Sequence, residues 1–325
     1  MDSNSNVTIL NGSSSTSHID IKLGQYVCLI LLCTLLIPST LFALYIFYLI
    51  FQLHNLRSRL TNHIIIGIFI ISFIQTTCEM PLLLKYLSSG RVPFESYGFC
   101  KFWISFNYSF NTTIIFLNSQ LSVERYLLIF HQSFLNRHKI SVHYVPMIVL
   151  ALTAVVYSCA AVIFAPCEEV FDYTMQICGG SCYQLLPANG TFDVISTVMI
   201  PLSIIIGFNA ILMIRVIKQK RRMLRNVWKK NLGMLIQLLY VSILHVAGYI
   251  PVSILVSIVM TNNPPPEIAL ELQSSWILIN VMYIGVVANP FVCMFAIPEI
   301  KENIILFIDR KKRRQQRQIN ANNDN

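Results

Sequence analysis

The sequence predicts an all-α bundle of seven transmembrane helices, and three observations carry that expectation. Of its 325 residues, 55% are hydrophobic and only 12% charged, about half the charged share of a soluble domain. Seven apolar runs each reach the roughly 20 residues needed to cross a hydrocarbon layer about 30 Å thick. They lie at about 26–51, 62–86, 98–130, 141–165, 193–217, 232–261 and 273–297. The third observation is that the basic residues are segregated between alternate connections.

The runs are continuous rather than alternating, which argues against a β-barrel. Their interior prolines, Pro38, Pro81, Pro146, Pro201, Pro251 and Pro290, would break soluble helices. In a membrane bundle, neighbouring groups satisfy the freed backbone and the prolines act as kinks. One set of connections and helix ends, from Arg57 and Arg59 to Arg317, holds 20 of the 24 lysines and arginines; the other holds Lys22, Lys85, Arg91 and Lys101. The positive-inside rule places the N-terminus outside the cell and the C-terminus in the cytoplasm.

The sequons agree, because Asn6, Asn11 and Asn189 fall outside and are expected to carry glycans. Two more, at Asn107 and Asn111, lie within the third run and are expected to stay bare. The chain divides into a polar, disordered tail (1–24), the helix bundle (25–298), a membrane-surface helix (299–309) and a basic cytoplasmic tail (310–325). The basic stretches 214–230 and 311–317 suit anionic lipid, and nucleic-acid binding beside a membrane is not expected.

Nine cysteines show no metal spacing. Four of them, Cys100, Cys167, Cys178 and Cys182, fall in outer stretches where disulfides persist. No paired-carboxylate, Ser-His-Asp, phosphate-loop or metal constellation is visible, so no enzyme, cofactor or metal is expected. Of the seven histidines most fall in tails or loops, and only His245 lies deep within a run.

The third run ends in "ERYLLIFH" (124–131), an acid and an arginine where a membrane helix tolerates neither cheaply. Read alone, Glu124 and Arg125 could anchor a helix end and do nothing more. Cys100 lies 25 residues before Arg125, about 37 Å of helix and so one membrane crossing. The seventh run carries "NPFVC" (289–293). These features resemble the rhodopsin-like (class A) G-protein-coupled receptors. Glu124, Arg125 and Tyr126 match the acid-Arg-Tyr motif, and Asn289 and Pro290 match the Asn-Pro of helix seven. Pro81, Pro201 and Pro251 match family prolines.

The resemblance implies a plasma-membrane, multi-pass receptor that transmits an extracellular ligand to heterotrimeric G proteins. Arg125, held by Glu124 at rest, would swing to meet the G protein. It pairs Cys100 with Cys182, with Cys178 as the alternative, and leaves Cys167 and Cys178 for a second bridge. It places Glu79, Asn107, Tyr108, Asn111, Asp193, Thr197, Tyr249 and Tyr283 at ligand-pocket positions. Asn107 stands where amine receptors carry an aspartate, and no lysine in the seventh run could hold retinal. Acidic residues outnumber basic ones on the outer side, which favours a cationic peptide ligand, although topology bias alone also empties outer loops of basic residues.

The departures are specific. Cys293 and Asn209 replace two family tyrosines, Tyr249 a tryptophan, His245 a phenylalanine and Ser72 an aspartate. Cys293, Asn209 and Tyr249 motivate a receptor-like decoy that binds without signalling. A seven-helix channel or transporter is the other alternative, but it predicts inverted repeats or broken helices that the sequence lacks.

Overall fold

The computed structural model describes residues 12–53, 60–165, 167–219, 246–259 and 276–296, with Leu239, Ser242, Ile243, Asn262 and Pro266 between them. Among these residues the architecture is all-helical, with no strand. Seven main helices follow in order: α1 (Gly12–Gln52), α2 (Leu60–Ser89), α3 (Tyr97–Phe130), α4 (Val145–Ile163), α5 (Ile200–Gln219), α6 (Val246–Val259) and α7 (Trp276–Ala296). Among the described residues four segments are long and apolar enough to cross a membrane: Leu23–Gln52, Asn62–Ser89, Ile140–Ile163 and Ala188–Lys218. Asn6, Asn11, His245 and the segments expected at 299–309 and 310–325 lie outside the described residues.

α1 starts at Gly12, so residues 12–24 are helical where the sequence suggested a disordered tail. Once a long apolar helix is nucleated, each added residue gains a hydrogen bond without a new nucleation cost. At the other end of the first hairpin, Gly90 closes α2 at φ 69°, and its N–H returns to the Tyr86 carbonyl at 2.7 Å. This is the left-handed exit that only glycine adopts freely. Ser96 then caps α3 by accepting from the Phe99 N–H.

α3 is the central helix, packed against α2, α4 and α5. Centrality explains why it is the polar one. Ser109, Thr112, Thr113, Asn118, Ser119, Gln120 and Ser122 are all buried, and several bond back to their own helix, as Thr113 does to the Ser109 carbonyl at 2.6 Å. Such groups are tolerable in a membrane only where protein surrounds them. α4 is the opposite case. It buries Ala154, Ser158 and Val162, a stripe at four-residue spacing whose small side chains permit close approach. Much of its remaining surface, including Leu152 at 59% and Val156 at 64% exposure, faces outward.

Two prolines reset helix geometry. A π-helical turn at Ile140–Tyr144 precedes Pro146, and another at Val194–Met199 precedes Pro201. Proline lacks the N–H that would close the preceding turn, and a one-residue bulge absorbs the clash.

The core has two main apolar clusters. One, at the Arg125 end, joins Ile46, Ile64, Ile68, Phe69, Leu117, Leu121 and Leu212. The other, at the Cys100 end, joins Leu32, Met80, Leu83, Trp103, Ile104, Val162 and Val287. Cross-helix polar ties stitch the bundle: Ser39 to the Val287 carbonyl at 2.7 Å, Asn289 to Ser72 at 2.5 Å, and Asn209 to Ser242 at 2.9 Å.

The disulfides correct the expected pairing. Cys100 bonds Cys178, not Cys182, with Cα atoms 5.8 Å apart. Cys167 bonds Cys182 instead, at 6.2 Å. Backbone conformation decides the exchange. Ile177, Cys178, Gly179 and Gly180 all take positive φ, at 53°, 55°, 82° and 87°. This left-handed run accompanies Cys178 at the buried head of α3, where both half-cystines are 0% exposed. Cys182 opens the next helical turn (Cys182–Leu185) and meets Cys167.

Candidate functional site

Five of the eight residues expected to contact ligand converge on one buried carboxylate. Glu79 lies on α2, two residues before Pro81, and is 0% exposed. Its Oε1 accepts from Asn107 Nδ2 of α3 at 2.5 Å and from the Tyr283 hydroxyl of α7 at 2.6 Å. Asn107 Nδ2 also donates to the Tyr283 oxygen at 3.0 Å. Glu79 Oε2 accepts from Gln75 Nε2 at 3.0 Å. Gln75 also donates to Asn111 Oδ1 at 3.2 Å, and the Tyr249 hydroxyl of α6 reaches that same oxygen at 2.8 Å. Four helices are thereby tied to one acid.

Helix periodicity makes this possible. Gln75 and Glu79, and likewise Asn107 and Asn111, are four apart and share a face. Glu79 has only neutral donors around it among the described residues, and Gln75 Oε1 is buried without a hydrogen-bond partner. Gln75 was missed by the sequence reading, although an amide one turn from an intramembrane acid was a readable signal.

The other three expected contacts do not join this network. The Tyr108 hydroxyl donates to Gln184 Oε1 at 2.6 Å, and Gln184 Nε2 donates to Asp193 Oδ2 at 3.1 Å. Tyr183 adds a longer bond to the same Asp193 oxygen at 3.4 Å. Burial and the neighbouring charge push the Tyr183 hydroxyl well above the usual tyrosine range. Thr197 bonds back to the Asp193 carbonyl at 2.7 Å. Tyr108 and Asp193 thus hold the loop after Cys178 across the helix ends. That loop is pinned at its root, where Glu169 accepts from Ser181 Oγ and from the Cys182 N–H. Asp172 accepts from Thr174 Oγ1 and N, which holds its carboxyl below the usual range.

At the opposite end of α3, Glu124 and Tyr126 meet different elements. The Glu124 carboxylate faces His143 Nδ1 at 2.6 Å, where the sequence reading had it holding Arg125. Glu124 and His143 are 3% and 0% exposed. His143 falls at the edge of the run 141–165 and was not singled out from the sequence; the π-helical turn before Pro146 carries it into the core, and Gln120 Nε2 holds its carbonyl at 2.9 Å. Tyr126 lies under the Arg215 guanidinium of α5, 5.2 Å from the ring centroid, and against Phe208 at 5.6 Å. Arg125 itself is buried at 6% exposure and is not free.

Asn289 and Pro290 lie within α7, with Asn289 bonded to Ser72 of α2. Ser72, which the family resemblance sets in place of an aspartate, accepts this bond through a neutral hydroxyl. Asn189 is exposed in the short helix Pro187–Asp193. Among the described residues no group of three or more His, Cys, Asp or Glu could hold a metal ion.

No curated protein is similar enough to this chain to count as a match. The family model described as 7 transmembrane receptor (rhodopsin family) does match, over residues 41–292. That stretch covers α2 to α6, the end of α1 and most of α7, and contains the Glu79 network, both disulfides and the Glu124-Arg125-Tyr126 motif at the foot of α3. The chain therefore belongs to the rhodopsin family of seven-transmembrane receptors.

Proposed function

We propose that the protein is a plasma-membrane receptor with its N-terminus outside and its C-terminus in the cytoplasm. It reads an extracellular ligand at the Glu79 network and activates heterotrimeric G proteins through Arg125. The ligand class favoured is a peptide that presents a basic, donor-rich group. One observation carries this reading: Glu79 is buried with only neutral donors around it among the described residues, in a network that also reaches Tyr249 of α6. An ammonium or guanidinium group would replace neutral donors around Glu79 with a charge-assisted pair. Tyr249 would feel the exchange through Asn111, because the two share one oxygen.

A ligand shifts a two-state bundle only by its difference in affinity for the two states. Displacing donors from Glu79 supplies such a difference, since those donors come from α2, α3 and α7. The acidic residues of the loop, Glu168, Glu169 and Asp172, would draw a cation inward. Anionic lipid would meet the basic residues at the Arg125 end. Glycans on Asn6, Asn11 and Asn189 would mark the outer surface, and enzymatic deglycosylation would reveal them as a mobility shift.

Expression with a promiscuous G protein, screened against basic peptides and amines, tests the proposal. The expected result is a ligand whose potency falls at least tenfold in Glu79→Gln at equal surface expression. Arg125→Ala should keep binding and lose signalling. A ligand indifferent to Glu79 would refute the assigned site. Binding without any transducer response would identify a decoy, and an ion current that survives Arg125→Ala would identify a channel.

A further inference from the structure

Glu124 and His143 form a buried pair outside the Glu79 network. Both side chains are enclosed, and Nδ1 lies 2.6 Å from Oε2. With the acid ionised, the hydrogen is on Nδ1 and is donated to the carboxylate. His143 Nε2 is buried and has no hydrogen-bond partner among the described residues, so Glu124 is the only polar commitment of the ring. The ring is also fixed in place. Gln120 holds the His143 carbonyl, the π-helical turn precedes Pro146, and His63 and Tyr144 pack on the ring with centroids 5.5 and 4.7 Å away.

Glu124 and Arg125 are consecutive on α3, so their side chains leave the helix about 100° apart and do not face each other by default. A Glu124–Arg125 clasp therefore has to be formed against helix geometry, and any partner that captures the acid first opposes it. We propose that His143 is the positioning residue for the motif: it keeps the Glu124 carboxylate on the α4 side and so withholds it from Arg125. The device rests on the reading of Arg125 as the coupling residue, but its physical core is a competition of His143 and Arg125 for one carboxylate.

The competition can be measured without a ligand, by thermal melts of the purified full-length receptor. With His143 present, Glu124→Gln and Arg125→Met should shift the melting temperature additively. In a His143→Phe background, which keeps a ring but no donor, the two should become non-additive by several degrees, because Glu124 then leans on Arg125. His143→Gln, whose amide still donates, should behave like the parent. Equal Glu124–Arg125 coupling with and without His143 would overturn the proposal, and so would a His143→Gln that behaves like His143→Phe.

Basal G-protein activation per surface receptor gives the second reading. It should fall about tenfold in His143→Phe, the loss expected for a hydrogen bond to a charged group, and recover when Glu124→Gln is added. A fall that persists in the double variant would refute the competition. If no form of the receptor activates any G protein, the functional reading fails, while the melts still decide the role of His143.

Discussion

Glu79 and Glu124, two of the buried carboxylates among the described residues, are held in contrasting ways. Glu79 receives three neutral donors from three helices, and through Gln75 and Asn111 its reach extends to a fourth. Glu124 is held by a single imidazole from the element next to it. A distributed arrangement couples many helices weakly and can rearrange when a new donor arrives. A pairwise arrangement is nearly all or none, because a lost partner leaves the other group with nothing. The first suits a site that reads ligands and the second a site that switches.

The largest test of that contrast is Glu79→Leu. It strands Asn107, Tyr283 and Gln75 donors together, at about 1–3 kcal/mol for each buried group left unsatisfied. Partial re-pairing, such as Asn107 with Tyr283, leaves a net loss of about 3 kcal/mol, visible as a drop of several degrees in a thermal melt. A loss below about 1 kcal/mol would mean the network is not cooperative. Glu124→Leu should cost less, about 2 kcal/mol, because only His143 is stranded; its melt, compared with that of Glu79→Leu, ranks the two arrangements directly.

Tyr249→Phe comes next. Asn111 Oδ1 keeps Gln75 as a donor, so about 1 kcal/mol of stability is lost, while ligand efficacy should fall more than ligand affinity if the network drives α6. Equal falls in both would make Tyr249 a plain contact.

The smallest effect lies outside both sites. Asp172 is exposed, and Thr174 depresses its folded-state pKa. The stability it contributes is therefore present above the unfolded value, about 3.9, and fades as the pH falls through the lower folded value. Asp172→Asn should flatten the acid limb of the melting curve slightly and leave the neutral plateau unchanged.

The apolar runs made the helices legible, because a hydrocarbon layer admits little else and a long apolar run marks a crossing. The expected candidates Glu79, Asn107, Asn111, Tyr249 and Tyr283 also came together as one cluster. Gln75 and His143 were harder to see for different reasons. Gln75 sits in an apolar run, where only its register to Glu79 gives it meaning. His143 sits at a run's edge, where residue type alone suggests a loop; a π-helical turn before Pro146 changes its direction. The disulfide pairing was illegible because four cysteines are compatible with more than one connectivity, and a short run of positive φ chose between them.

By itself the sequence determined the class of the molecule, the membrane crossings and the residues able to carry charge inside a bilayer. These follow from composition and period, which act locally along the chain. Tertiary structure alone decided who meets whom: Glu79 with Tyr283, 204 residues away, Cys100 with Cys178, and Glu124 with His143. The physical reason is that a hydrogen bond is fixed to a few tenths of an ångström and to a direction. Sequence specifies which groups need partners, and only the packed helices bring one of the candidates within reach.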